Sequence, residues 1–185
     1  MRRRTLIRSL AMMALLLSST ALLAQDTATG TINATLINKS GIAIVFDTDP
    51  GGVTLGNNGS SAATLNFGTI SAFGPLSPGI TRPTVLPASY TVKTLFDVQV
   101  IEGGLVTPSY TLSAQLAAAA PTGFTYAVDA VTLTTVAQTI QANGTYNTDV
   151  QHSLNLTVST AAPGSGGPAV GIPLTSTINF TATSN

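Results

Sequence analysis

The chain has neither cysteine nor tryptophan among its 185 residues. Without cysteine a thiol-linked lipid anchor, a disulfide framework and thiol chemistry are all excluded. Export is not excluded, because a domain of about 160 residues can be stable on its hydrophobic core alone. Charge is also scarce, at 8 % of residues, against roughly 25 % in an ordinary soluble domain. With 44 % of residues hydrophobic, the chain can bury enough surface to offset its ordering entropy, which argues against disorder. Beyond the first two dozen residues no run approaches the roughly 18–20 apolar residues of a spanning helix, so no transmembrane anchor is expected after them.

Residues 1–24 read as a signal peptide. Arg2, Arg3, Arg4 and Arg8 form a basic start, Leu10 to Leu17 an apolar stretch too short to span a bilayer, and small residues follow. This is the secretory pattern. Cleavage is expected between Ala24 and Gln25, where the apolar run gives way to polar text, with a cut after Ala21 as the alternative. Arg3-Arg4 followed by Thr5, two apolar residues and Arg8 also fits a twin-arginine signal, so the general secretory and twin-arginine routes both stay open. From Gln25 onward Lys39, Arg82 and Lys93 face seven acids, a net charge of −4. No basic footprint for nucleic acid remains, and no polybasic membrane patch. The expected location is outside the cytoplasm: periplasm, cell surface or extracellular medium.

The remainder, residues 25–185, reads as one domain of short strands. Thr31 to Leu36 alternates, with Ile32, Ala34 and Leu36 on one face. Ile42 to Phe46 is a continuous apolar run, as expected of a strand buried on both faces. Ala63 to Ile70 follows the turn signals Asp49-Pro50-Gly51-Gly52 and Gly56-Asn57-Asn58-Gly59. Ser71 to Pro83 reads as a loop rich in proline and glycine. Tyr90 to Glu102 is the longest expected strand, with Val92, Thr94, Phe96, Val98 and Val100 on one face. Tyr110 to Leu116, three shorter runs between Phe124 and Ile140, Gln151 to Thr160 and Thr177 to Thr183 complete the pattern. About eight to ten strands at this spacing predict an antiparallel β-sandwich. Phe67, Val98, Leu112, Leu154, Leu156, Ile178 and Phe180 are its expected core.

Reactive groups are few. Asp149, His152 and Ser153 are close in sequence, but adjacent strand residues point to opposite faces, which opposes a catalytic triad. A packed or edge histidine is expected instead, and no enzyme activity. Asp47 and Asp49 before Gly51-Gly52 come nearest to a calcium spacing. They lack the further acids and distant glutamate of a calcium loop, and aspartates also favour turns for local reasons. No metal and no cofactor are therefore expected. Tyr90, Tyr110, Tyr126 and Tyr146 are scattered, as strand tyrosines are, rather than grouped as a sugar-stacking platform.

Leu65-Asn66-Phe67-Gly68-Thr69-Ile70 resembles the Leu-x-Phe-Gly-Thr stretch of exported sandwich domains of the spore-coat-protein-U type, themselves similar to pilins of the archaic chaperone–usher class. Ser176 to Thr183 resembles their closing strand. The chain departs from that pattern in having no cysteine and some forty residues between the signal and Phe67-Gly68. The resemblance implies an Ig-like sandwich and surface assembly by strand exchange. It transfers no catalytic residue. The leading expectation is a non-catalytic structural protein of the cell surface, a coat or fimbria-like subunit that partners itself as a homopolymer or joins other surface proteins. The alternative is a secreted or periplasmic binding and adhesion module for glycan or protein, acting through loops such as 71–83 and 163–173. Residues 25–38 are the candidate exchangeable strand, with Ile32, Ala34 and Leu36 filling either their own sheet or a neighbour's groove.

Overall fold

The computed structural model describes residues 26–34, 41–104, 108–161 and 173–185. The expected signal segment, the Ala24–Gln25 cut, Leu36 and most of the 163–173 loop lie outside them. Eleven strands are described: β1 (Asp26–Ala34), β2 (Ile42–Asp47), β3 (Ala62–Ile70), β4 (Ile80–Leu86), β5 (Ser89–Glu102), β6 (Tyr110–Leu116), β7 (Phe124–Val128), β8 (Val131–Thr132), β9 (Gln138–Gly144), β10 (Asp149–Ser159) and β11 (Leu174–Ser184). No helix among the described residues is long and apolar enough to cross a membrane.

The strands form two packed sheets, a β-sandwich. One has five strands in the order β3-β1-β11-β6-β9. The other has six, β2-β5-β10-β7-β8 with β4 also on β5. Successive strands change sheet at every connection except the β4–β5 and β7–β8 hairpins. All pairings but one are antiparallel. The exception joins β1 to β11, in parallel from Ala28↔Leu174 to Ala34↔Phe180.

Alternation decides which side chains enter the core. In β5 the buried residues are Tyr90, Val92, Thr94, Phe96, Val98 and Val100, every second position. β6 buries Tyr110, Leu112, Ala114 and Leu116 in the same way. All seven expected core residues are buried. Three rings tie the layers together. Phe180 of the five-stranded sheet meets Phe46 at 5.2 Å and Phe96 at 6.0 Å, both nearly edge-on. This tilted geometry lets ring edges meet ring faces.

Three expectations are corrected. The Ile42–Phe46 run is not buried on both faces: Ile44 and Phe46 face inward while Ala43 is exposed. β2 sits at the edge of its sheet, and on the side away from the core Ala43 is exposed and Val45 half-buried. Residues 71–83 are not all loop, because β4 begins at Ile80 and runs through Pro83. Proline is tolerated there because β4 is an edge strand, and its register with β5 shifts between Thr81 and Thr84. β9 also lies further along the chain than the Val136–Ile140 pattern suggested, leaving Val136 exposed.

β2 and β4 share one edge of β5, pairing with residues 97–102 and 89–94 of it respectively. The gap between them is closed by loop backbone. Val53 N–H donates to Thr94 Oγ1 at 3.0 Å, and that hydroxyl donates to the Gly79 carbonyl at 2.9 Å. The approach is close enough to require glycine. A Cβ on Gly52 would collide with the Leu95 carbonyl oxygen, and Gly79 has φ +78° with Gly52 backbone against it.

Every sheet edge is interrupted. On β2, Phe46 exchanges backbone bonds with Ser60 and Gly59. On β3, Gly56 takes both outward groups of Thr64, and Gly68, at φ +63°, sits at a bulge opposite β1. β9 has two register shifts against β6, β4 carries Pro83, and β8 is two residues long. Such devices blunt the tendency of an open edge to recruit another strand.

Candidate functional site

Three places carry polar chemistry or unusual topology. The first is built on the β7–β8 turn. Asp129 occupies the left-handed region, φ +54°, which Asp tolerates better than most residues. There it continues the ladder where β7 stops. Its N–H donates to the Ser153 carbonyl, and its Oδ1 accepts from Ser153 N–H, both at 2.8 Å. Ser153 Oγ donates to the same Oδ1 at 3.2 Å, and Oδ2 accepts from His152 Nδ1 at 2.8 Å. Burial alone would raise the Asp129 pKa. The His152 bond, the Ser153 backbone and hydroxyl bonds and the nearby imidazole outweigh it and hold the carboxyl below its ordinary 3.8. An ionised carboxylate only accepts, so Nδ1 carries the hydrogen of this bond.

His152 is thus packed, as expected, but its partner is Asp129 rather than Asp149. Its ring stands 6.0 Å from Phe96, and its buried Nε2 has no hydrogen-bond partner among the described residues. The Ser153 hydroxyl bonds to the acid rather than to the imidazole. No nucleophile–base pair exists among these three residues, and what the arrangement does is lock a turn onto a central strand.

The second place is an acidic end of the six-stranded sheet. Asp47, Asp97 and Gln151 lie side by side across β2, β5 and β10, and Asp149 pairs one step away with Gln99. Asp49 folds back over this row and is buried. Its Oδ1 accepts from Gly51 N–H at 2.6 Å, its Oδ2 from the Gln151 amide. Asp47 Oδ1 accepts from the Asn58 amide at 3.3 Å. The calcium-spaced pair is therefore engaged by Gly51, Asn58 and Gln151, and no metal-ligand cluster is found among the described residues. Burial, then the charges of Asp49 and Asp149, a hydrogen bond to Asp49 and the charge of Asp47 push the Asp97 pKa above 3.8.

The two shifts act in opposite directions on stability. Asp129, lowered, contributes stability that is present above pH 3.8 and is lost as pH falls through its folded pKa. Asp97, raised, contributes stability that is full below pH 3.8 and is lost as pH rises through its folded pKa. Urea titrations should therefore show Asp97→Asn more stable than the parent at pH 7, the gain fading as pH approaches 3.8. Asp129→Ala should cost about 2 kcal/mol at pH 7, since it removes the acceptor of three donors on the buried His152 and Ser153. A neutral-pH loss for Asp97→Asn would contradict the crowding of carboxyls at this end.

The third place is β1. Sequence alternation put Ile32 on an inward face, and it is fully buried. Ala34 pairs with Phe180 at the end of the strand. β1 lies inside its own sheet, hydrogen-bonded to β3 on one side and β11 on the other. It is also the partner that joins β3 to the rest of that sheet. The Phe67-Gly68 motif lies alongside, Phe67 in the core and Gly68 N–H donating to Asn66 Oδ1 at 2.7 Å.

Asp129 was missed as the histidine's partner, because 23 residues separate them and no local pattern joins them. The one available signal was an acid in a two-residue turn before a β-branched pair. No protein-family model and no curated protein matches this chain.

Proposed function

We propose that the chain is an exported structural protein of the cell surface, an Ig-like subunit of a coat or fimbria that assembles by exchange of β1. The observation that carries this reading is the position of β1. The first strand after the expected signal cut is an interior strand, paired on both sides, and it is joined to the rest of the chain at one end of a short connection, residues 35–41. Moving it to a neighbour would recreate the same pairings with another chain's β3 and β11. The blunted edges support replacement of a strand over addition of one. The dearth of titratable groups and the histidine's structural bonding support a non-catalytic role.

The absence of cysteine provides a clean test. Thr31 and Thr177 are partners in the β1–β11 register. Adjacent strands lie about 4.8 Å apart, inside the Cα separation of about 4.4–6.8 Å that a disulfide needs. The Thr31→Cys/Thr177→Cys variant, expressed in the producing cells and oxidised on their surface, should give a ladder of covalent multimers on a non-reducing gel. Oxidation that yields monomers alone would show that each chain keeps its own β1 and would overturn the exchange.

A further inference from the structure

The two sheets differ sharply in charge. The strands of the six-stranded sheet carry Asp47, Arg82, Lys93, Asp97, Glu102 and Asp149. Those of the five-stranded sheet carry one charged residue, Asp26 at the first position of β1. Among the described residues, most exposed positions of that sheet are hydroxyls and amides, with Ala62 and Ala142 the apolar ones. Thr64, Thr31 and Thr177 follow one another across β3, β1 and β11, and Thr181, Ser113 and Thr139 across β11, β6 and β9. Each is partly or fully exposed. The aromatic residues of these strands, Phe67, Tyr110 and Phe180, all point inward and are buried.

We propose that this outer face binds an uncharged polysaccharide. Each Thr or Ser hydroxyl can donate and accept, as can each Asn or Gln amide, which matches the paired donor and acceptor character of a sugar hydroxyl. Strands about 4.8 Å apart and same-face residues about 6.7 Å apart make a repeating grid, suited to an extended polymer rather than a single sugar. β-branched threonines hold few rotamers, so little freedom is lost when they are engaged. A polyanion gains nothing on a face without cations and meets a chain of net charge −4 from Gln25 onward. Lacking an aromatic platform, the face draws its affinity from many simultaneous contacts, so it takes polymer and not oligosaccharide.

The probes are cellulose and chitin powders, sedimented with the chain that starts at Gln25. Binding to at least one powder is expected, unchanged in 1 M sodium chloride, where charge pairs are screened within about 3 Å. Thr177→Lys/Thr181→Lys should weaken it about tenfold or more, by removing several contacts and placing strongly hydrated charge on the face. Ser113→Lys on the neighbouring strand should act in the same direction if the double variant folds poorly. Gln99→Lys, on the outer face of the other sheet, should leave binding intact. Four results would overturn the proposal: no binding to either powder, loss of binding in salt, equal binding by the lysine variants, or sedimentation without polymer through face-to-face stacking of copies. A chain that assembles but ignores the powders defeats this inference alone. One that binds them yet gives no disulfide ladder defeats only the strand-exchange reading.

Discussion

Phe180→Ala should lower folding stability by about 3–5 kcal/mol, read from the urea midpoint at constant slope. Phe180 is fully buried and is the ring through which the five-stranded sheet reaches Phe46 and Phe96. Removing it opens a void that three strands from two sheets would have to close together. A domain holds only about 5–15 kcal/mol in total, so the variant would sit near the threshold of folding. Thr181→Ala, one residue along on the opposite face, should shift stability by less than about 0.5 kcal/mol. Similar effects from the two would mean that β11 is offset by one residue, because a single-residue slip exchanges its faces.

The second large effect should come from deleting residues 25–38. Among the described residues β3 has β1 as its only partner strand in the sheet, so the deletion removes two strands from the five, not one. It also takes Ile32 from the core. The loss should be comparable with the whole stability margin of about 5–15 kcal/mol, giving a chain without a cooperative unfolding transition. A synthetic peptide of residues 25–38 added in trans should restore that transition, because the missing contacts are backbone pairings that another chain can supply. A truncated chain that melts like the parent would show β1 to be peripheral. Failure of the peptide to rescue would mean that the strand must be covalently in place, which counts against exchange.

Much of the fold was legible because alternation is a local property. The faces of β5, β6, β10 and β11 follow from every second residue, and the seven expected core positions are buried. Two local signals misled. An apolar run such as Ile42–Phe46 looks alike whether one face or both are covered. Pro83 argues against a strand only where its missing N–H would be needed, and at the edge of β5 it is not. What could not be read was partnership over distance. Asp49 finds Gln151 102 residues away, and nothing near either residue indicates it. The charge-free face of the five-stranded sheet was visible only as scattered threonine-rich text until pairing put β1 beside β11.

That pairing also sets a clock on the chain's biogenesis. Leu174 lies 146 residues after its partner Ala28. A ribosome working at about 5–20 residues per second leaves roughly 7–30 s between the appearance of one and the other. Throughout that interval β1 has no β11 to dock on, and the ring of Phe180 does not yet exist to bridge Phe46 and Phe96. The nascent chain therefore carries Ile32, Leu65 and Phe67 without their final cover until β11 is made. Non-local closure of this kind makes folding slow and prone to off-pathway association. Premature termination anywhere before β11 should yield a polypeptide that lacks the β1–β11 pairing and the Phe180 ring.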